Sequence, residues 1–170
     1  MANLARHWPW VAFLACAFML AVAHAFEAFG HLAPCTLCLK ERQIYWDALA
    51  IAGGAALLRF TPVRAPAARI ANLLLTITFV CGALLAGYHA GAEWHWWPGP
   101  ATCSGGAAHV TNLTAFLHGA PMAMPACDKA AWIFLGLSMA GWNAVISAGL
   151  AILSTLAVAQ GKPSERATPW

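Results

Sequence analysis

The sequence predicts an all-α membrane protein with four membrane-spanning helices. Hydrophobic residues make up 61% of the 170-residue chain and charged residues only 9%, whereas about 25% of the residues in soluble domains are charged. Apolar segments at residues 8–26, 42–60, 70–89 and 132–159 each supply about the 20 residues that a helix needs to cross a bilayer. We therefore expect a single integral membrane domain over residues 1–170.

The N-terminal segment has two interpretations. Residues 8–26 form a continuous apolar run, which favours a retained transmembrane helix. Arg6 before this run and Ala23-His24-Ala25 near its end are also typical of a signal peptide with a small-residue cleavage site. We favour the retained helix, in which Cys16 acts as a small buried hydrophobic residue.

The last apolar segment and the long loop before it predict two interfacial elements. Residues 132–159 exceed the length of one crossing, so Trp132 to Met139 are expected to lie in the membrane interface. No strand is predicted. Within the loop, apolar residues recur at helical spacing and indicate a short amphipathic helix on the membrane surface: Val110, Leu113, Phe116 and Leu117.

The distribution of basic residues predicts the orientation of the chain. The N-terminus, loop 61–69 with its flanks and the C-terminus carry Arg6, Arg59, Arg64, Arg69, Lys162 and Arg166, and the opposite side carries only Lys40, Arg42 and Lys129. By the positive-inside rule, both termini and loop 61–69 are cytoplasmic. Loops 27–41 and 90–131 then face outward together. The net charge of +3 is small and dispersed, which gives no indication of nucleic-acid binding.

Loop 27–41 contains the motif Cys35-Thr-Leu-Cys38. Cysteines at this spacing can close a structural disulfide, bind a metal or transfer electrons in a redox relay. Arg42 follows Cys38 by four residues, and a helix beginning here would place both on one face. A thiolate at Cys38 would then be stabilised by a fixed positive charge and by the helix N-terminus.

Two further cysteines, Cys103 and Cys127, lie in the second outward loop. On an oxidising side of the membrane, two purely structural disulfides are one explanation for the four outward cysteines. Pro98-Gly99-Pro100 before Cys103 and two glycines after it predict instead that its disulfide is exposed, as reactive disulfides are. Zinc binding by the four cysteines is disfavoured because only one pair has ligand spacing.

The chain resembles the bacterial disulfide bond formation protein B (DsbB) family. The resemblance rests on Cys35-Thr-Leu-Cys38 with Glu41-Arg42, on Trp96-Trp97-Pro98-Gly99-Pro100-Ala-Thr-Cys103, and on Cys127-Asp128 leading into the last helix, in the same order over nearly the whole chain. It implies a four-transmembrane-helix bundle in the bacterial inner membrane, whose long periplasmic loop carries the short amphipathic helix. It also implies an enzyme that reoxidises a periplasmic DsbA-like thioredoxin-fold oxidase and reduces a membrane quinone.

The nature of such a partner narrows the electron acceptor. A DsbA-like oxidase is a strong oxidant, so its reduced form gives up electrons only to a more oxidising acceptor than glutathione or a nicotinamide. An acceptor dissolved in lipid suits the apolar setting. A quinone meets both requirements; we expect the ubiquinone type, with menaquinone as the alternative.

The resemblance implies a role for each outward cysteine. Cys103 and Cys127 would form the disulfide that the partner attacks, with Cys103 taking the mixed disulfide. Cys127 would then attack Cys35 and release Cys38 as a thiolate beside the quinone. Arg42 would stabilise the developing negative charge, although an arginine at this depth can also bind lipid phosphates.

The other quinone-binding residues are predicted less directly. His89 near the end of the third segment is expected to donate to a quinone oxygen, and Glu93 or His95 can take that role instead. Haem ligation by His24 and His89 is disfavoured, because isolated histidines are more often ordinary helix-end residues. Trp94 to Trp97 are expected to form an interfacial aromatic belt.

Two other functions remain open from the sequence. One is a four-helix membrane protein whose two outward disulfides only hold its loops in place. The other is a paralogue of the same quinone-linked chemistry that serves a single dedicated partner. Reduction of a quinone by the purified protein distinguishes the first from an enzyme, whereas the identity of the partner distinguishes the second.

Overall fold

The computed structural model describes residues 3–58, 60–62, 64–100, 103 and 125–160. The described chain contains four long helices and one short hairpin. Their bounds are α1 Asn3–Ala28, α2 Thr36–Leu58, α3 Arg64–Glu93, β1 Ile133–Phe134, β2 Leu137–Ser138 and α4 Met139–Gln160. The amphipathic helix expected around Val110 to Leu117 lies outside the described residues.

Three of these helices are long and apolar enough to cross a membrane. They cover Ala5–Ala28, Ala65–Glu93 and Met139–Gln160 among the described residues, and they bear out the prediction of an integral membrane protein. Helix α2 does not meet the same criterion, because Lys40, Glu41, Arg42 and Asp47 lie in its first half. A fourth membrane crossing by α2 therefore stays a prediction.

Small residues allow the helices to pack closely. Ala12 of α1 and Ala48 and Ala52 of α2 are completely buried, and they share one core cluster with Phe79 of α3 and Cys16. Small side chains at helix contacts let backbones approach, which favours association inside a bilayer. The arrangement places α2 between α1 and α3, while α3 packs along α4.

A buried hydrogen bond joins α1 to α4 in this core. The indole nitrogen of Trp8 donates to the Ser154 hydroxyl at 2.9 Å, and both side chains are buried. It links α1 to α4 where no water is available to either polar group. Helix α1 is thereby held against the last helix of the chain.

The segment before α4 is a β-hairpin, so the prediction of helix from residue 132 is wrong, as is the prediction that no strand occurs. Phe134 pairs with Leu137, and the turn residues Leu135 and Gly136 have φ of 50° and 81°. Positive φ at both positions is typical of a two-residue hairpin turn and interrupts a helix. The Ser138 hydroxyl then accepts from the Gly141 amide at 3.1 Å and caps α4.

The end of α3 is packed against the aromatic segment that follows it. Trp97 stacks on Tyr88 with 5.9 Å between ring centroids and donates from its indole nitrogen to the Tyr88 carbonyl at 2.9 Å. The Trp97 ring lies directly over Gly91, and a Cβ added at Gly91 would overlap it. Gly91 therefore permits the close approach of Trp97 to α3.

Replacing Gly91 by alanine is expected to destabilise the protein by about 1–3 kcal/mol, because the ring of Trp97 has to move away. Gly87→Ala is the matched control: it lies one turn earlier in α3, and nothing lies near its added Cβ. The control should be neutral or stabilising by up to about 1 kcal/mol, since alanine favours helix. Thermal unfolding in detergent measures both; equal stabilities for the two variants would contradict this packing.

Candidate active site

Cys35 lies at the N-terminus of α2 and caps it. Its carbonyl accepts from the Leu39 amide at 3.1 Å, which is the first bond of the helix, and its sulfur accepts from the Cys38 amide at 3.2 Å. This is the hydrogen bond that N-cap side chains make to the third helical residue. The sulfur of Cys35 therefore faces the positive end of the helix dipole, a position that favours a thiolate.

His89 of α3 reaches the same sulfur from the other side. Its Nε2 lies 3.7 Å from Cys35 Sγ, and both side chains are buried. The pKa of the Cys35 thiol is lowered to about 4, chiefly by hydrogen bonding from the Cys38 side chain and further by the hydrogen bond and charge of His89, while burial opposes the shift. Cys35 is therefore the acidic thiol of the pair.

This arrangement differs from the expected thiolate at Cys38 stabilised by Arg42. The Arg42 guanidinium forms an ion pair with Glu27 and donates to the Ala23 carbonyl at 3.2 Å, both in α1. Its charge is thus directed mainly towards α1. Cys35 caps α2 and lies beside His89. A thiolate at Cys35 is therefore stabilised more strongly than one at Cys38.

Cys103 and Cys127 are joined by a disulfide with 5.1 Å between their Cα atoms. The expectation that this disulfide is exposed is wrong, because only 3% of Cys103 and 1% of Cys127 is accessible. Both pack in one cluster with Cys35. The Thr36 hydroxyl lies 2.6 Å from Cys103 Sγ and 3.5 Å from Cys127 Sγ, so the first residue of α2 holds the disulfide beside the dithiol.

A buried polar network supports His89. Its Nδ1 donates to Glu41 Oε1 at 2.7 Å, and the Asn143 amide of α4 donates to Glu41 Oε2 at 2.6 Å. The Tyr45 hydroxyl donates in turn to Asn143 Oδ1 at 2.6 Å and lies 3.0 Å from Ser147 Oγ. The network fixes the His89 ring with Nε2 towards Cys35.

Glu41 and Asn143 were not identified from the sequence as site residues. Glu41 lies three residues after Cys38, so their shared helix face was a usable signal for Glu41. Nothing in the local sequence singles out Asn143, because it meets Glu41 only where the fold brings the two side chains together.

The dithiol opens into an apolar cavity of about 630 Å³. Its wall contains Cys35, Cys38 and all three residues predicted to bind quinone, namely Arg42, His89 and Glu93. Most of the remaining wall is apolar and comes from α1, α4 and residues 125–134, including Phe26, Trp132, Phe134, Met139 and Ile146. A largely apolar cavity with a few convergent polar groups is typical of a site for a small organic ligand.

His95, the third predicted alternative, lies away from this cavity. It is exposed and its Nδ1 donates to the Glu93 carbonyl at 3.0 Å. Of the two alternatives to His89, the structure brings only Glu93 to the dithiol. Cys103 and Cys127 are adjacent to Cys35 but do not line the cavity wall.

The chain is similar to several disulfide bond formation proteins. The chain is 28% identical over 159 residues to disulfide bond formation protein B of Nitrosomonas eutropha, which covers 85% of this chain and 88% of the relative. It is 31% identical over 157 residues to the protein of that name from Methylococcus capsulatus, with 85% and 88% coverage. For Dechloromonas aromatica the identity is 30% over 162 residues, with 89% and 90% coverage.

A family profile supports the same assignment. The profile described as disulfide bond formation protein DsbB matches residues 5–157. This range includes all four helices except their outermost ends, and it contains Cys35, Cys38, Cys103 and Cys127. The chain therefore belongs to the DsbB family of disulfide bond formation proteins.

Proposed function

We propose that this protein is a thiol–disulfide oxidoreductase that reoxidises a soluble, DsbA-like thioredoxin-fold oxidase and passes the electrons to a membrane quinone. The observation that carries the proposal is the contact between a disulfide and a pair of free thiols. The Cys103–Cys127 disulfide packs against Cys35, while Cys35 and Cys38 are free thiols on the wall of an apolar cavity.

The relay begins with a thiolate of the reduced partner. It attacks Cys103 Sγ and breaks the Cys103–Cys127 bond, which releases the Cys127 thiolate. With Cys35 and Cys38 in their oxidised form, Cys127 attacks Cys35 and releases Cys38. The partner's second thiol then resolves the mixed disulfide, and the freed Cys103 attacks Cys127. This step restores the Cys103–Cys127 disulfide, releases Cys35, and leaves two electrons on the dithiol.

The low pKa of Cys35 assists the last of these exchanges. A thiol of lower pKa leaves faster in thiol–disulfide exchange, and the pKa of Cys35 is lowered to about 4. Cys35 is therefore a good leaving group when Cys103 displaces it from Cys127. The buried Cys103–Cys127 disulfide must become accessible for the first attack, so the proposal requires the segment around Cys103 to open when the partner binds.

The cavity fits a quinone head group. Arg42, His89 and Glu93 supply polar contacts on a wall that is otherwise mostly apolar, which is the combination that a ring with two oxygens and an apolar tail requires. A bound quinone supplies a two-electron, two-proton acceptor. Because Cys35 is already a thiolate, closing the Cys35–Cys38 disulfide releases one proton, from Cys38. The charged His89, whose Nδ1 donates to Glu41, can give a second from Nε2.

The decisive experiment combines the purified protein, a reduced thioredoxin-fold oxidase and a soluble quinone analogue. We expect one quinone reduced for each partner disulfide formed. A folded protein that leaves both the partner and the quinone unchanged would support the structural alternative, which the burial of Cys103 and Cys127 also favours.

Arg42→Met is expected to weaken quinone use and to leave both cysteine pairs able to oxidise. It removes a charge from the cavity wall but no sulfur, and loss of one charged hydrogen bond corresponds to about a tenfold rise in the quinone KM. Lys40→Met is the matched control, because Lys40 is exposed and does not line the cavity. A change below about twofold, roughly 0.4 kcal/mol, would assign Arg42 to lipid anchoring and its contacts with α1.

The orientation that we propose places both termini in the cytoplasm and the redox loops in the periplasm of the bacterial inner membrane. After reduction, a membrane-impermeant thiol reagent added from outside should label the outward cysteines and spare those in the apolar helices. The first group is Cys35, Cys38, Cys103 and Cys127, and the second is Cys16 and Cys81. Labelling of the first group only after the cytoplasmic side is opened would reverse the orientation.

A further inference from the structure

Three metal-binding side chains converge at the N-terminus of α2. One ligand atom from each of Cys35, Cys38 and His89 lies within 4.8 Å of the other two. Zinc bonds of about 2.3 Å to sulfur and 2.0–2.1 Å to nitrogen place tetrahedral ligand atoms roughly 3.5–3.8 Å apart. The 3.7 Å between Cys35 Sγ and His89 Nε2 already matches such an edge. This set differs from the four-cysteine site considered from sequence, because His89 replaces the loop cysteines.

The residues behind His89 are those that a metal-binding histidine needs. Its Nδ1 is engaged by Glu41 at 2.7 Å, which leaves Nε2 free to face the sulfurs. Asn143 holds the same carboxylate at 2.6 Å. A carboxylate on the second ring nitrogen fixes the tautomer and orientation of histidine ligands and raises their basicity.

The buried carboxylate of Glu93 also points to a bound cation. Its side chain is only 5% exposed, and Oε2 has no hydrogen-bond partner among the described residues. Oε1 lies 3.9 Å from His89 Nε2, and the residue lines the same cavity as the two cysteines. A buried carboxylate without a full set of partners is costly unless a positive charge is near.

We propose that the reduced protein binds one zinc ion through Cys35, Cys38 and His89, with Glu93 facing the fourth coordination position. Binding displaces two protons from the three ligand side chains and changes no oxidation state. The two thiolates neutralise the charge of the ion, which makes burial of the site favourable. A Cys35–Cys38 disulfide offers no thiolate, so only the reduced form binds zinc, and the bound ion holds the pair out of thiol–disulfide exchange.

The test uses the full-length protein with Cys103→Ser and Cys127→Ser, so that the dithiol is the only outward pair of thiols. Cobalt(II) is titrated into the reduced protein, and its absorption reports thiolate ligands and tetrahedral geometry. We expect one cobalt per chain, displaced by one zinc, and no binding after the pair is oxidised. Neither a quinone nor a partner oxidase is present, so the result is independent of the proposed reaction.

Variants identify the ligands. Cys38→Ser and His89→Gln should weaken binding at least about 100-fold, and Glu41→Gln about 10- to 100-fold, as expected for a residue that orients a ligand. Glu93→Gln should also weaken it, while His95→Gln, the same change at an exposed histidine outside the cavity, should not. Unchanged affinity in Cys38→Ser or His89→Gln would overturn the site.

A second measurement needs no substitution of the ligands and therefore does not depend on how the variants fold. In the same Cys103→Ser, Cys127→Ser protein, zinc should protect both Cys35 and Cys38 from alkylation, as read by mass spectrometry, and a chelator should restore the reaction. Alkylation of both cysteines at the metal-free rate in the presence of zinc would overturn the proposal.

Discussion

Cys127→Ser is expected to abolish oxidation of the reduced partner while leaving Cys35 and Cys38 able to form their own disulfide. In the proposed relay, Cys127 links the loop disulfide to the dithiol; it is bonded to Cys103, and both pack in one cluster with Cys35. A serine at this position cannot form the loop disulfide or attack Cys35. A partner bound at Cys103 would have no route to the dithiol.

The measurement separates the two halves of the relay. Partner oxidation is followed with reduced thioredoxin-fold oxidase, and reoxidation of the Cys35–Cys38 pair is followed with quinone alone after chemical reduction. Only the first should fall to background. Cys81→Ser is the matched control, since Cys81 is a free cysteine on an exposed position of α3. A wild-type rate of partner oxidation in Cys127→Ser would mean that the loop disulfide is only structural.

Cys38→Ser gives a complementary result on the same pathway. Without Cys38, the Cys35 thiolate can still attack Cys127 and displace Cys103 from the loop disulfide. No second dithiol sulfur is left to break the new Cys35–Cys127 bond, so this bridge should accumulate. Both residues already lie in one buried cluster, and the bridge therefore requires little movement of α2. Proteolytic mapping without reductant would show a peptide pair containing Cys35 and Cys127.

The features that were predicted from sequence are those set by local composition and spacing. Residues 8–26 and 70–89 were recognised as apolar segments, and they lie within α1 and α3. The spacing of Cys35 and Cys38 predicted a candidate redox pair without a structure, and both residues line the cavity. Both signals depend on residues that are close along the chain.

The features that were missed depend on conformation or on distant packing. Leu135 and Gly136 adopt positive φ, and the surrounding apolar residues are compatible with either a helix or a hairpin. The loop around Cys103 contains glycine and proline, which suggested exposure, yet contact with Thr36 brings this disulfide into the interior. Such long-range contacts leave no periodic pattern in the sequence.

The polar network around His89 also depends on long-range contacts that the sequence does not reveal. Glu41 and His89 are 48 residues apart, and Glu41 and Asn143 are 102 apart. Each looks like an ordinary polar residue when its helix is considered alone. Only the packing of both α2 and α4 against α3 brings them into one network behind the Cys35 thiol.

His89→Gln is expected to raise the pKa of Cys35 by at least about one unit, or 1.4 kcal/mol. The folded-state pKa of about 4 lies below the ordinary thiol value of 9.0, so the thiolate stabilises the reduced fold. That stabilisation is fully present above pH 9, declines as the pH falls, and is lost below about 4. Glutamine can offer one hydrogen bond to the sulfur but no positive charge, so part of this stabilisation should disappear.

The same change should make the dithiol a weaker oxidant. A stabilised thiolate favours the reduced form of a disulfide pair, and a pair with a more stable reduced form accepts electrons more readily. Each pKa unit that is lost is expected to lower the reduction potential by about 30 mV at neutral pH. Glu41→Gln should act in the same direction, because a neutral amide stabilises the His89 imidazolium less than a carboxylate does.

Site-resolved alkylation of the reduced Cys103→Ser, Cys127→Ser protein measures this effect. With His89 present, the Cys35 rate should stay nearly level as the pH falls from 8 to about 5 and decline towards pH 4. With His89→Gln, the decline should begin at higher pH, and His95→Gln is the matched control because that histidine is exposed and outside the cavity. A midpoint that moves by less than about 0.3 unit, roughly 0.4 kcal/mol, would mean that Cys38 and the helix N-terminus alone hold the Cys35 thiolate.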